Sequence, residues 1–147
     1  MYSKVMIPLD GSNLAECALA ELRKLAAKGF VGEAILLSVI DIPSLYLVEG
    51  IDFNALRNGH HRKFESYLEE LRSQLQAEGV RVKTEILEGR AAQAIVDYAR
   101  KNGVDLIVLA THGYTGMKKL MFGSVALRIL HDSPAPILLI RPESCRT

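Results

Sequence analysis

Hydrophobic positions along this chain follow two patterns that take turns: short, nearly unbroken apolar runs and longer stripes at helical spacing. Residues 4–9, 34–40, 104–110 and 136–140 are apolar runs with little polar interruption. Such runs suit strands covered on both faces of a sheet. Residues 80–87 alternate instead, with Val80, Val82, Thr84 and Ile86 set against Arg81, Lys83 and Glu85. Alternation of that kind suits an edge strand with one wet face. Between the runs, Leu14, Cys17, Ala18, Leu22 and Leu25 keep helical spacing, as do Phe64, Tyr67, Leu68, Leu71 and Leu75, and then Ala91, Ile95, Tyr98 and Ala99. The face opposite the second stripe carries Glu69, Glu70, Arg72 and Gln76 and reads as solvated.

Turn chemistry separates these segments. Pro8 cannot donate to a strand ladder and marks the end of the first run. Ser12 or Asn13 is placed to cap the first helix, and Gly29, Gly79 and Asn102-Gly103 are placed to stop the helices. Asp132-Ser133-Pro134 ends the last one. Residues 41–58 lack clear periodicity and are expected to form a long connection; its apolar patch, Leu45 to Val48, suits packing, a lid or a partner contact. Strands and helices therefore alternate, which predicts an α/β fold: an open parallel sheet with helices on both faces, joined by right-handed crossovers. At 147 residues, a single domain spanning 1–147 is expected.

Composition narrows the functional classes. The formal net charge is only +1, so there is no electrostatic footprint for nucleic acid or a membrane surface. No apolar stretch approaches the roughly 18 residues of a membrane span. The first strand begins almost at once, leaving no room for the apolar core of a signal peptide, and a cytoplasmic location is expected. The two cysteines, Cys17 and Cys145, make neither a metal spacing nor a disulfide framework. His60 and His61 are adjacent, so on a helix they diverge and are poor joint metal ligands.

Candidate chemistry concentrates where residues 104–110 run into Thr111-His112-Gly113, a glycine loop with Gly116, Lys118 and Lys119, and then Gly123-Ser124 at the mouth of a helix. A strand, a glycine loop and a helix N-terminus are the parts of a phosphate cradle. The first amides of the helix have no intrahelical partner, and its dipole favours negative charge there. Asp10 sits at the carboxyl end of the first strand, the edge at which open α/β sheets bind ligands. Its carboxylate suits ribose hydroxyls, and equally suits capping of the turn Asp10-Gly11-Ser12. Arg90 opens a later helix on the same edge, as a phosphate contact or simply a solvent-exposed side chain.

The spacing Ala110-x-x-Gly113, nine residues, then Gly123-Ser124 resembles the nucleotide-binding signature of the universal stress protein family, G-x-x-G-x(9)-G-(S/T), with alanine in place of the first glycine. Pro8-x-Asp10-Gly-Ser, Ser38-Val-Ile-Asp41, Val125-Ala-Leu-Arg-Ile-Leu130 and Pro134-x-Pro-Ile-Leu-Leu-Ile140 resemble the same family, and the signature looks like that of its nucleotide-binding branch. The resemblance implies a five-stranded sheet in the order 3-2-1-4-5, Rossmann-like and similar to the adenine-nucleotide alpha hydrolases. It also implies ATP with Mg or Mn, the metal held through the phosphates and not by a protein site. Asp10 would bond the ribose. Pro8 and Leu9 would line the base pocket, and the Val39 backbone would read the adenine edge. Leu109, Ala110, His112 and Gly113 would wall the ribose and phosphates, and Gly123, Ser124 and Val125 would hold the phosphates. A homodimer through the last strand, Ile137, Leu138, Leu139 and Ile140, is implied as well, together with unknown protein partners.

Three functions follow from the resemblance. The first is an ATP-binding regulatory switch in stress response. The second is a slow ATP hydrolase or a phosphoryl- or adenylyl-transfer enzyme, with His112 as candidate acid or base and Lys118 and Lys119 as clamps. The third is a dimeric interaction protein with a vestigial nucleotide site. The chain has no G-x(4)-G-K-(S/T) lysine loop, which weighs against the enzyme.

Overall fold

A computed structural model describes residues 1–45, 50, 52–110 and 121–141. Five strands and five helices follow one another: β1 (Tyr2–Pro8), α1 (Asn13–Ala27), β2 (Val31–Asp41), the short α2 (Ile42–Leu45), α3 (Phe53–Ala77), β3 (Val82–Gly89), α4 (Ala91–Lys101), β4 (Leu106–Ala110), α5 (Met121–Asp132) and β5 (Ile137–Ile140). The strands form one parallel sheet, as the alternation predicts, in the order β3-β2-β1-β4-β5 that the family resemblance implies.

The order reverses direction at β1. From β1 the chain steps to β2 and β3 on one side, then crosses back to β4 and β5 on the other. Right-handed crossovers therefore put α1 and α3 on one face and α4 and α5 on the opposite face. The core lies on both sides of the central strands. Met6 and Ile7 of β1, Ile35 to Leu37 of β2, and Ile107 and Leu109 of β4 are fully buried. Leu22 of α1, Leu68 and Leu75 of α3, Ile95 of α4 and Ile129 of α5 close over them from the two faces.

Several boundaries follow the expected punctuation. β1 stops at Pro8, and the Ser12 hydroxyl caps α1 by accepting from the Ala15 amide at 3.2 Å. Gly29 and Gly79 follow α1 and α3 with φ of +78° and +89°, left-handed values that glycine adopts without a Cβ clash. Gly32 serves a different need. A Cβ there would lie 2.7 Å from the Ser3 carbonyl oxygen, so the close approach of β2 to β1 requires glycine.

Other boundaries differ from expectation. The segment 41–58 is not one long connection: α2 forms directly after β2, and α3 starts at Phe53. Asp52 initiates α3, its carboxylate accepting from the Asn54 and Ala55 amides at 2.9 and 3.4 Å. The first two turns of α3 bury none of their side chains, so they carry no apolar stripe for periodicity to detect. Tyr46, Leu47 and Val48 of the expected apolar patch lie outside the described residues. β3 begins at Val82 and runs on to Gly89, while Val80 completes the turn after α3 through its amide to the Leu75 carbonyl, 3.0 Å. Cys17 packs on the buried face of α1, and it is disulfide-bonded where no disulfide was expected; Cys145 lies outside the described residues.

Candidate functional site

The carboxyl ends of β1, β2 and β4 come together at one edge of the sheet. β1 is the shorter of the first pair. Its last partner on β2 is Pro8 with Leu37, whereas β2 continues against β3 as far as Asp41 with Gly89. The Leu37 carbonyl accepts the Leu9 amide at 2.8 Å. Two residues further, the Val39 backbone turns to the same side, because the strand repeats every second residue. Among the described residues no strand continues beside it there, so the Val39 amide and carbonyl face the opening left by the end of β1.

Ser38, between them, is the buried polar side chain of the described core, and its hydroxyl donates to the Leu9 carbonyl at 2.7 Å. That bond occupies the carbonyl of the first residue after β1 and fixes the point at which the chain leaves the sheet. Asp10 follows at once. Its Oδ1 accepts the Ser12 amide at 2.9 Å and the Ser12 hydroxyl at 2.6 Å, while Oδ2 has no partner among the described residues. Asp10 therefore performs the turn-shaping role through one oxygen and leaves the other without a partner among the described residues. The two readings drawn from sequence are compatible.

On the α4–α5 face, Pro8, Leu9, Asp10, Val39 and Val125 line one cleft with Leu37, Ala91 and Ile95. Five of the predicted site residues thus meet there, drawn from the end of β1 and the turn after it, from β2 and from α5. The cleft itself is only about 30 Å³, room for the edge of a planar group and no more. Leu109 and Ala110 end β4 and are 0 % and 2 % exposed. No described non-glycine residue has a positive φ, so Ala110 occupies its position without the left-handed backbone that would demand glycine. Gly123 and Ser124 fall in the first turn of α5, which opens at Met121, two residues before the expected start. Ser124 is exposed. His112, Gly113, Lys118 and Lys119 lie outside the described residues. Arg90 stands exposed at the start of α4 and makes no side-chain cap bond.

A larger cavity, about 560 Å³, opens on the other face of the same edge. It shares Asp10 and Val39 with the first and is otherwise built from Gly11, the end of β2, Leu45 of α2, and His60, Lys63, Phe64 and Tyr67 of α3. Sequence reasoning missed this wall. It counted Phe64 and Tyr67 as core and set His60 aside. The usable signal was that His60, Lys63, Phe64 and Tyr67 share one helix face by their spacing, which mixes polar groups into an inward stripe. Tyr67 anchors the wall: its hydroxyl donates to Glu16 of α1 at 2.8 Å. Burial, reinforced by that carboxylate, raises the phenol well above its ordinary range. Among the described residues no group of three or more His, Cys, Asp or Glu side chains is gathered as a metal nest.

Comparison with known proteins gives the same picture. The sequence model of the universal stress protein family matches residues 1–141. Universal stress protein MJ0577 of Methanocaldococcus jannaschii is 32% identical over 159 residues, covering 98% of this chain and 98% of its own. Universal stress protein MJ0531 of the same organism is 31% identical over 142 residues, covering 96% and 83%. The solved structure of MJ0577 superposes with a TM-score of 0.80 at 32% identity, covering 96% of each chain. More distant structures share the fold. One is a universal stress protein in complex with cAMP, TM-score 0.70 at 18% identity and covering 96% and 98%. Another is a family member from Arabidopsis thaliana with AMP bound, TM-score 0.67 at 19% identity and covering 95% and 91%.

Proposed function

Since the chain belongs to the universal stress protein family, we propose that it binds an adenine nucleotide at the β1–β4 edge and acts as a nucleotide-dependent switch in stress response. The observation that carries this reading is the meeting, at one opening, of two groups without partners among the described residues. The Val39 backbone faces it beyond the end of β1, and Asp10 offers Oδ2 while Oδ1 is held by Ser12. An adenine edge presents a donor and an acceptor that match one backbone amide and carbonyl. Ribose hydroxyls match a carboxylate oxygen. Pro8, Leu9 and Val125 supply the apolar walls for the base, and the first turn of α5, with Gly123 and Ser124, supplies amides for phosphate oxygens. Leu109, Ala110, His112 and Gly113 complete the ribose and phosphate wall in this reading. A Mg or Mn ion bridges the phosphates, hydrated on its outer side and held by no dedicated protein cage. Relatives that carry AMP or cAMP support the adenine class.

The same reading makes the chain, taken as a single domain, a cytoplasmic homodimer. β5 is an edge strand of four apolar residues, and Leu139 is 38% exposed on it, with Leu127 and Leu130 of neighbouring α5 at 68% and 43%. An uncovered apolar edge invites pairing, and a two-fold related copy of β5 supplies it. No helix among the described residues is long and apolar enough to cross a membrane.

The test is to denature freshly purified protein and identify the released small molecules by mass spectrometry. Stoichiometric adenine nucleotide is the expected result. Protein that carries none and stays unliganded after incubation with ATP and magnesium overturns the reading.

A further inference from the structure

The 560 Å³ cavity on the α1–α3 face has a chemistry of its own. Its volume falls within the roughly 300–1,000 Å³ typical of small-molecule sites. Val39, Ile40, Leu45 and Phe64 give it an apolar body. At the helix wall stands Lys63, whose ammonium has no ion-pair partner among the described residues, although Lys24 and Lys83 nearby in sequence type and exposure do have carboxylate partners. His60, one turn earlier on the same face, adds a ring nitrogen. At the sheet-edge wall stands Asp10, whose Oδ2 has no partner among the described residues. The cavity thus has a cation at the helix wall, the carboxylates of Asp10 and Asp41 at the sheet edge and apolar surface between them. Tyr67 holds the two walls in place, since its bond to Glu16 ties α3 to the first turn of α1 directly beneath the Asp10 turn.

We propose that this cavity is a second small-molecule site, distinct from the nucleotide cleft, which takes a compact amphipathic acid. The ligand has an aromatic or branched apolar body, an anionic group that meets Lys63 and His60, and a hydroxyl or amine donor that meets Asp10. A purely apolar molecule leaves both charged walls unpaired, and inorganic anions leave the apolar surface wet. Each half alone therefore binds worse than the whole. Among the described residues the site shares Asp10 and Val39 with the nucleotide cleft, and both ligands draw on Asp10 Oδ2, so occupancy of one weakens binding at the other.

The probe is para-hydroxyphenylacetate, with phenylacetate lacking the donor and tyrosol lacking the anion, titrated into the full chain by amide chemical-shift perturbation. Saturable shifts at Ile40, Lys63, Phe64 and Tyr67 are expected, with each truncated probe at least about tenfold weaker. Lys63→Glu removes the response to the acid and leaves ATP binding as in the parent. Gly123→Val does the reverse. Shifts absent at roughly 10 mM probe, equal affinity for acid and tyrosol, or a response that survives Lys63→Glu overturn the proposal. Loss of the acid response in Gly123→Val, with the fold intact by circular dichroism, places the probe in the nucleotide cleft and overturns it equally.

Discussion

The Tyr67 hydroxyl lies 2.8 Å from the Glu16 carboxylate and joins the middle of α3 to the first turn of α1, while Arg23 and Glu78 pair at 2.8 Å at the far ends of the same two helices. The Tyr67 contact sits under the Asp10 turn, where α1 leaves the sheet, and it couples the position of α3 to the ligand edge. Burial first, and then Glu16, raise the phenol pKa; the Gly11 backbone bond opposes them weakly. A raised pKa means the folded state keeps a proton that the unfolded chain releases near pH ~10. Stability from this group is therefore complete below that pH and falls as pH climbs above it. Tyr98, half-buried beside Glu85 and bonded to it at 3.2 Å, behaves the same way. The urea midpoint should drop between about pH 9 and about pH 11, and Tyr67→Phe should flatten that drop while costing about 1 kcal/mol at neutral pH. An unchanged alkaline slope in the variant would detach Tyr67 from it.

Asp10 separates into two oxygens with two jobs. Asp10→Asn keeps an acceptor for Ser12 but removes the free carboxylate oxygen, so nucleotide affinity should fall about tenfold or more with little loss of stability. Asp10→Ala should lose both, with about 1 kcal/mol of stability gone as well. Calorimetric titration of ATP against thermal melts of the two variants distinguishes the jobs, and identical behaviour of Asn and Ala would contradict the division.

Ser38→Ala should cost about 1–3 kcal/mol, because the Leu9 carbonyl is left unpaired in a buried setting. The end of β1 also loses its anchor, so nucleotide affinity should weaken although Ser38 touches no ligand. Denaturant melts and ATP titration read the two effects; a variant as stable as the parent would show that water replaces the hydroxyl.

Leu139→Asp should shift the protein to monomers in sedimentation equilibrium while leaving nucleotide binding intact, because β5 lies at the sheet edge away from Asp10 and Val39. A dimer that persists would move the interface off β5.

Much of the fold was legible because its strands are buried on both faces and its turns use residues with strong local preferences. The runs holding Met6, Leu36 and Ile107 read as central strands, and Ser12, Gly29 and Gly79 read as helix boundaries. The start of α3 was not legible. Asp52 initiates it, but its first turns overhang the end of β2 and bury no side chain, so there is no stripe. The same overhang explains the missed wall. Phe64 and Tyr67 continue the spacing of Leu68, Leu71 and Leu75, yet beyond Asp41 no sheet lies beneath them, and the stripe faces a cavity in place of a core. On the side of the proposed nucleotide cleft, motif and position marked Asp10 and Val39 as candidates, and the structure brings both to one cleft. What spacing could not show was that Oδ1 of Asp10 is already committed to Ser12, or that the Ala110 methyl is accommodated inside the sheet.

The most direct test of the central claim is calorimetric titration of ATP with magnesium into the parent protein and Gly123→Val in parallel. The account predicts one site per chain in the parent, of micromolar affinity or tighter, and none in the variant, whose melting and oligomeric state stay those of the parent. Equal binding by both would contradict the phosphate cradle at the start of α5, and with it the nucleotide switch.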